Sequence, residues 1–185
     1  LFPDSGALKW AWIGPLAGAL IRPLGGWLSD RTGGARVTSW NFAVMFLAGL
    51  WALLSLPSGT GSADVSGFFM AFILLFITAG IGNGSVFHIV PSVFRQLHIR
   101  AVEGKDAAAV EVAEAAGAVE ASVALGFTSA IAALGLFFIP AFVATSIQAT
   151  GSAHLAISVF SVFYLSCVLA TWWFYRRKDA EVSCS

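Results

Sequence analysis

Charged side chains are scarce in this sequence. Lysine, arginine, aspartate and glutamate make up 11% of its 185 residues, whereas hydrophobic residues make up 58%. Soluble domains average ~25% charged and about 45–50% apolar residues, so this composition indicates a membrane protein. The formal net charge is zero, which excludes the basic field that attracts nucleic acid, and no nucleic-acid partner is expected.

Cysteine is also rare, because only Cys167 and Cys184 occur, and no disulfide framework is predicted. The sequence contains no metal-ligand cluster, no Ser/His/Asp or Cys/His arrangement and no carboxylate pair that would suggest catalysis. We therefore expect no enzyme activity, no metal and no cofactor. The sequence begins at Leu1, without a methionine or a basic leader, and we expect it to be a fragment of a larger protein.

The sequence contains five long apolar runs. A membrane-spanning helix needs ~20 predominantly apolar residues. Runs of this kind occupy residues 8–28, 37–56, 67–90, 121–144 and 154–175. They are too long and too uniformly apolar for the strands of a membrane barrel. The predicted fold class is therefore an all-α, polytopic membrane protein with five transmembrane helices.

The basic residues predict an orientation in the membrane. Eight of the ten lysines and arginines fall in segments 29–36, 94–120 and 176–185. Cytoplasmic loops carry such an excess, so these segments are expected on the cytoplasmic side of the cell's inner (plasma) membrane. Segment 94–120 is then a cytoplasmic connector, and its alanine and glutamate content favours a short helix that leads into the fourth span. Segment 176–185 becomes a cytoplasmic tail.

Arg22 is the most informative residue, because it lies inside the first apolar run. An arginine at this depth costs about 2.5–3.5 kcal/mol on insertion scales and normally faces a cavity or a partner. No acidic residue occurs in any of the five runs to neutralise it. Its planar guanidinium suits a planar oxyanion, which predicts anion binding. The alternative is that Arg22 extends to the cytoplasmic surface and pairs there with Asp30.

Glycines and one histidine mark the other candidate positions. Small residues allow close approach of helices, which predicts a mobile interface, although ordinary membrane packing would also use them. The candidate packing glycines are Gly80, Gly82 and Gly84 in the third run and Gly126 and Gly135 in the fourth. His88, at the end of the third run, is a candidate proton site, with an interfacial or packing role as the alternative.

Residues 22–36 resemble the cytoplasmic-loop signature of the major facilitator superfamily, which reads roughly G-x-L-x-D-R-x-G-x-R. The matching residues are Gly26, Asp30, Arg31, Gly34 and Arg36. A closer resemblance is to the nitrate/nitrite porters of the NarK type, in which a membrane arginine directly precedes this motif in helix eight. Residues 80–90 are similar to the glycine-rich helix ten of that family, and residues 126–140 to its second signature segment, in helix eleven.

The resemblance implies that the chain is most of the C-terminal half of a transporter, comprising helices eight to twelve. Nitrate and nitrite would be exchanged by alternating access, with Arg22, Gly126, Thr128 and Ser129 at the substrate. The loop motif would stabilise one conformation, and the N-terminal half of the same transporter and the lipid bilayer would be the partners. Proton-coupled nitrate symport through His88 and a non-transporting truncated fragment are the alternatives.

Overall fold

Five α-helices make up nearly all of the chain that the structure describes. The computed structural model describes residues 7–57, 64–104 and 106–173, and within these ranges it contains no strand. A short 3₁₀ helix, Ala7–Trp10, comes first. The helices are α1 (Ile13–Thr32), α2 (Gly34–Leu54), α3 (Val65–Ala101), α4 (Ala107–Thr150) and α5 (His154–Thr171). The predicted all-α class is confirmed.

Four of these helices, α2 to α5, are long and apolar enough to cross a membrane. Helix α1 has 20 residues, and at 1.5 Å per residue its length of ~30 Å also matches the hydrocarbon layer. Its composition is less apolar because Arg22, Asp30, Arg31 and several glycines and prolines interrupt it. The five predicted spans therefore correspond to four strongly apolar helices and one that carries charge.

Helices α3 and α4 are longer than their predicted spans. They contain 37 and 44 residues, so each exceeds the ~20 residues that a membrane requires. Within segment 94–120, α3 continues to Ala101 and α4 begins at Ala107, so the helix expected before the fourth span is the first part of α4. The cytoplasmic position of this segment stays a prediction. Apolar runs mark only the part of a helix that lipid would cover, and the alanine-rich sequence sustains helix beyond it. The predicted tail, 176–185, lies outside the described residues.

The joint between α1 and α2 is a single residue, Gly33. Its φ angle of 85° lies in the left-handed region, which residues with a Cβ avoid. The Gly33 N–H donates to the Ser29 carbonyl and closes the end of α1. Helix α2 starts at the next residue, so the two helices lie side by side without an intervening loop.

Helix α3 occupies the middle of the assembly, packing against α1, α2 and α4, while α5 packs mainly on α2. Small residues dominate the contacts at the end where α2 finishes and α3 and α5 begin. The buried cluster there consists of Ala52, Leu56, Ala71, Ala153 and Ile157. Alanines allow close helix approach, which is the usual way for helices to pack within a membrane.

Asp64 caps the start of α3 and gives a testable pH dependence. Its carboxylate accepts hydrogen bonds from the Gly67 N–H at 2.9 Å and the Ser66 hydroxyl at 2.8 Å, and these bonds lower the pKa of Asp64. A depressed pKa means that the stabilisation is present above the unfolded-state pKa and is lost as pH falls through the folded-state value. We expect Asp64→Ala to lower the melting temperature by less than about 4 °C near neutral pH. Melting curves of both proteins at decreasing pH should converge; a constant difference would contradict this role.

Candidate functional site

The interface between α1 and α3 is built from glycines that bring the two backbones into contact. A Cβ added at Gly80 would overlap the Gly18 carbonyl oxygen, and one added at Gly84 would overlap that of Arg22. We call these contacts the glycine seam. Facing positions recur at every helical turn with a constant offset along the chain, so α1 and α3 run parallel. The facing pairs are Gly18 with Gly80, Arg22 with Gly84, and Gly26 with His88.

Arg22 therefore sits on the helix that packs most closely against α3, yet its side chain is exposed. Among the residues that the structure describes, its guanidinium forms no ion pair. The sequence left open a pairing with Asp30, but Asp30 bonds to His88 instead. The structure thus presents Arg22 as an exposed cation near the middle of α1, without a carboxylate partner within the described ranges.

Two of the loop-motif residues, Asp30 and Gly34, contact α3 near the C-terminal end of α1. Asp30 Oδ1 lies 3.0 Å from His88 Nδ1, which joins the end of α1 to α3. Both side chains are about half exposed, so this pair contributes at most about 1 kcal/mol to stability. Arg31 stacks over the Trp27 ring at 4.2 Å from its centroid, and Gly34 packs against Ile89. His88, which the sequence offered as a proton site, is thus an inter-helix contact of the motif.

The second signature segment lies apart from these residues in the described structure. Helix α4 packs on α3 and α5, and no packed interface between α1 and α4 is found within the described ranges. Gly126, Thr128 and Ser129 are exposed, and a Cβ at Gly126 would meet only open space. The Thr128 hydroxyl donates to the Ala124 carbonyl at 2.8 Å. A Cβ at Gly135 would meet only Ile139 of the same helix.

The α2–α3 interface contains buried polar groups that the sequence analysis missed. A Cβ at Gly82 would come 2.6 Å from Asn41 Nδ2, whose recorded hydrogen-bond acceptor is the Met45 sulfur at 3.7 Å. One turn away on each helix, the hydroxyls of Thr38 and Ser85 are buried and have no hydrogen-bond partner in the part of the chain that the structure describes. The available signal was the presence of polar side chains inside otherwise apolar runs, which in membranes usually face other helices.

Comparisons with known proteins place these features in context. No family model matches the chain. It is 44% identical to the nitrate/nitrite transporter NarU of Salmonella typhimurium over 180 residues, which are 97% of this chain and 38% of that protein. The NarU of Escherichia coli is also 44% identical, over 96% of this chain and 38% of its own length. The probable nitrate/nitrite antiporter NarK2 of Thermus thermophilus is 34% identical over 96% of this chain and 35% of its own length.

The chain thus spans a little over one third of the length of these relatives. The similarity covers nearly every residue of this chain, so it includes α1 with Arg22 as well as α4 with the second signature segment. The names of the relatives describe transporters rather than enzymes, in agreement with the expectation that the chain is not an enzyme.

Proposed function

We propose that this chain, which belongs to the nitrate/nitrite porter family of the NarK type, supplies the C-terminal helices of a transporter that exchanges nitrate for nitrite. The observation that supports the proposal most directly is Arg22, an exposed cation without an ion-pair partner among the described residues. Relatives named as transporters of these anions match the chain over 96–97% of its residues.

The chemistry of Arg22 suits these substrates. Nitrate is planar and nitrite is bent, and both carry their charge on oxygens. A guanidinium offers N–H donors in a flat fork, so it can make two charge-assisted hydrogen bonds to two oxygens of the same anion. At membrane depth the weak hydration of guanidinium also reduces the desolvation that binding requires, compared with an ammonium group.

The glycine seam supports the proposed conformational change. Transporters of this general design expose one central site alternately to each side by rocking one group of helices against another. Since the backbones of α1 and α3 touch at Gly80 and Gly84, these helices can carry Arg22 as one unit. The substrate residues on α4, namely Gly126, Thr128 and Ser129, would approach Arg22 in the assembled transporter, with Ser129 as a hydrogen-bond donor.

The requirement for exchange follows from charge. If the N-terminal half contributes a second arginine, two facing cations in a site of low dielectric repel each other and resist closure. A bound anion removes that repulsion, so only the loaded carrier changes conformation. In this proposal the protein lies in the inner (plasma) membrane, with its C-terminus and the Asp30–His88 pair on the cytoplasmic side.

Counterflow measurements test the exchange mechanism. We expect the full-length transporter in proteoliposomes to take up nitrate when nitrite is loaded inside, without a pH gradient, and to take up little when the interior contains no nitrite. Liposomes that contain internal nitrite but no protein are the control for leakage. Uptake that is independent of internal nitrite but requires an inward proton gradient would contradict exchange.

Proton-coupled symport is the alternative, and the Asp30–His88 pair is the observation that favours it. A histidine paired with a carboxylate can take up a proton, which would link transport to pH. Under this alternative, His88→Gln would remove the dependence on a proton gradient. Under exchange, the same variant would retain nitrite-dependent uptake, because glutamine can still hydrogen-bond to Asp30.

A further inference from the structure

Helices α2 and α5 approach closely at one level and leave a groove at another. A Cβ added at Gly49 of α2 would lie 2.7 Å from the Ser161 hydroxyl of α5, so the helices nearly touch there. Towards the start of α2 and the end of α5 they enclose a groove of about 410 Å³ with an almost entirely apolar lining. Its lining residues are Ser39, Trp40, Ala43, Val168, Leu169 and Trp172.

Two exposed tryptophans flank this groove. Trp40 on α2 is 66% exposed, and Trp172 at the end of α5 is 51% exposed. In a soluble protein, such large apolar side chains are usually buried. Tryptophan is enriched where membrane hydrocarbon meets the headgroups. We therefore expect the groove to lie at the level of the lipid headgroups.

A positively charged residue, Arg36, lies one helical turn before Trp40 of the groove lining. Arg36 precedes Trp40 by four residues, which puts both on the same face of α2. Arg36 is exposed and forms no ion pair within the described residues, and Asp30, the acidic residue of the neighbouring helix end, bonds to His88. An apolar groove near an arginine that has no ion-pair partner among the described residues is complementary to a fatty acyl chain that ends at a phosphate.

We propose that this groove binds an anionic phospholipid, with one acyl chain between α2 and α5 and the phosphate on Arg36. The lipid would fill the space below the Gly49–Ser161 contact and hold the two helices at a fixed separation. The site is separate from Arg22, because α2 and α5 supply all of its lining. The proposal therefore does not depend on which anion the protein transports.

Native mass spectrometry of the full-length protein tests this site. We expect the wild-type protein to retain phosphatidylglycerol in preference to phosphatidylcholine by about fivefold, the effect of one basic residue near a headgroup. Arg36→Gln should remove the preference and leave some binding of both lipids. Ala43→Leu should fill the groove and reduce the retention of both. The matched control is Ala170→Leu, an exposed position of α5 outside the groove, which should bind like wild type.

Three results would overturn the proposal. One is equal retention of the two lipids by the wild-type protein. Another is wild-type lipid retention by Ala43→Leu, because the added side chain would then not compete with an acyl chain. If this variant is also less stable, the added side chain disturbs a contact with protein, and protein rather than lipid covers the groove. The third is displacement of the lipid by inorganic phosphate alone, because this would identify a phosphate site that does not need the acyl chain.

Discussion

Replacing Arg22 with lysine is expected to abolish nitrate transport by the full-length protein and to leave its membrane insertion unchanged. Lysine keeps the positive charge, so the electrostatic barrier to insertion is similar, but it lacks the flat donor fork. Lysine can keep only one of the two charge-assisted hydrogen bonds to the anion, and a hydrogen bond to a charged group contributes about 1.5–3 kcal/mol. We therefore expect nitrate affinity to fall by about 10- to 100-fold, measured by binding to the purified protein and by counterflow.

The matched control for this substitution is Arg100→Lys. Arg100 is exposed near the end of α3 and forms no ion pair within the described residues, so the same chemical change there should leave nitrate affinity at the wild-type value. Both variants should appear in the membrane fraction in equal amounts. Near-wild-type nitrate affinity in Arg22→Lys would remove Arg22 from the binding site.

Gly84→Ala should lower the stability of the protein strongly, because it adds a methyl group where the backbones of α1 and α3 meet. The new Cβ would overlap the carbonyl oxygen of Arg22 and would lie 3.0 Å from its carbonyl carbon and 3.2 Å from the Gly26 nitrogen. Backbone atoms cannot rotate away, so α1 and α3 must separate. Overpacking of this kind costs about 3 kcal/mol, which corresponds to ~5–10 °C in melting temperature. Thermal unfolding in detergent, followed by tryptophan fluorescence, measures it.

Gly26→Ala provides the control on the same interface. Its Cβ would meet only the edge of the His88 ring at 3.5 Å and the Gly84 carbonyl oxygen at 3.8 Å, which are ordinary contacts. We expect a change of less than about 1 kcal/mol, since alanine also favours helix over glycine. An equal loss of stability in the two variants would show that the backbone flexibility of glycine matters at this interface, and not the close approach of the two helices.

Much of the fold could be predicted because length and apolarity are local properties. Most of the described residues in each of the five apolar runs are helical, since lipid leaves the backbone few other ways to satisfy its hydrogen bonds. The ends of α3 and α4 could not be predicted from the same signal. Residues 94–101 and 107–120 pack against each other through the Arg95–Glu114 ion pair at 2.6 Å and the fit of Gly117 against Phe94 and Arg95. These contacts join residues distant in the chain.

The candidate site could be predicted only in part, because sequence identifies a chemical group more readily than its neighbours. The uncompensated charge of Arg22 follows from the absence of acidic residues in the apolar runs. The contact between Asp30 and His88 could not be foreseen, since it depends on the offset between α1 and α3. That offset is set by Gly80 and Gly84, whose individual partners on α1 no periodicity reveals. The roles of Thr128 and Ser129 on α4 stay predictions.

The close contact between α1 and α3 also bears on how this protein is made. Helix α1 carries Arg22 and, unlike α2 to α5, lacks the composition of a strongly apolar segment. A lone arginine at mid-depth opposes partitioning from the translocon into lipid. The glycines that receive α1 lie on α3, which leaves the ribosome only after α2. We therefore expect stable integration of α1 to be delayed until α3 has been synthesised.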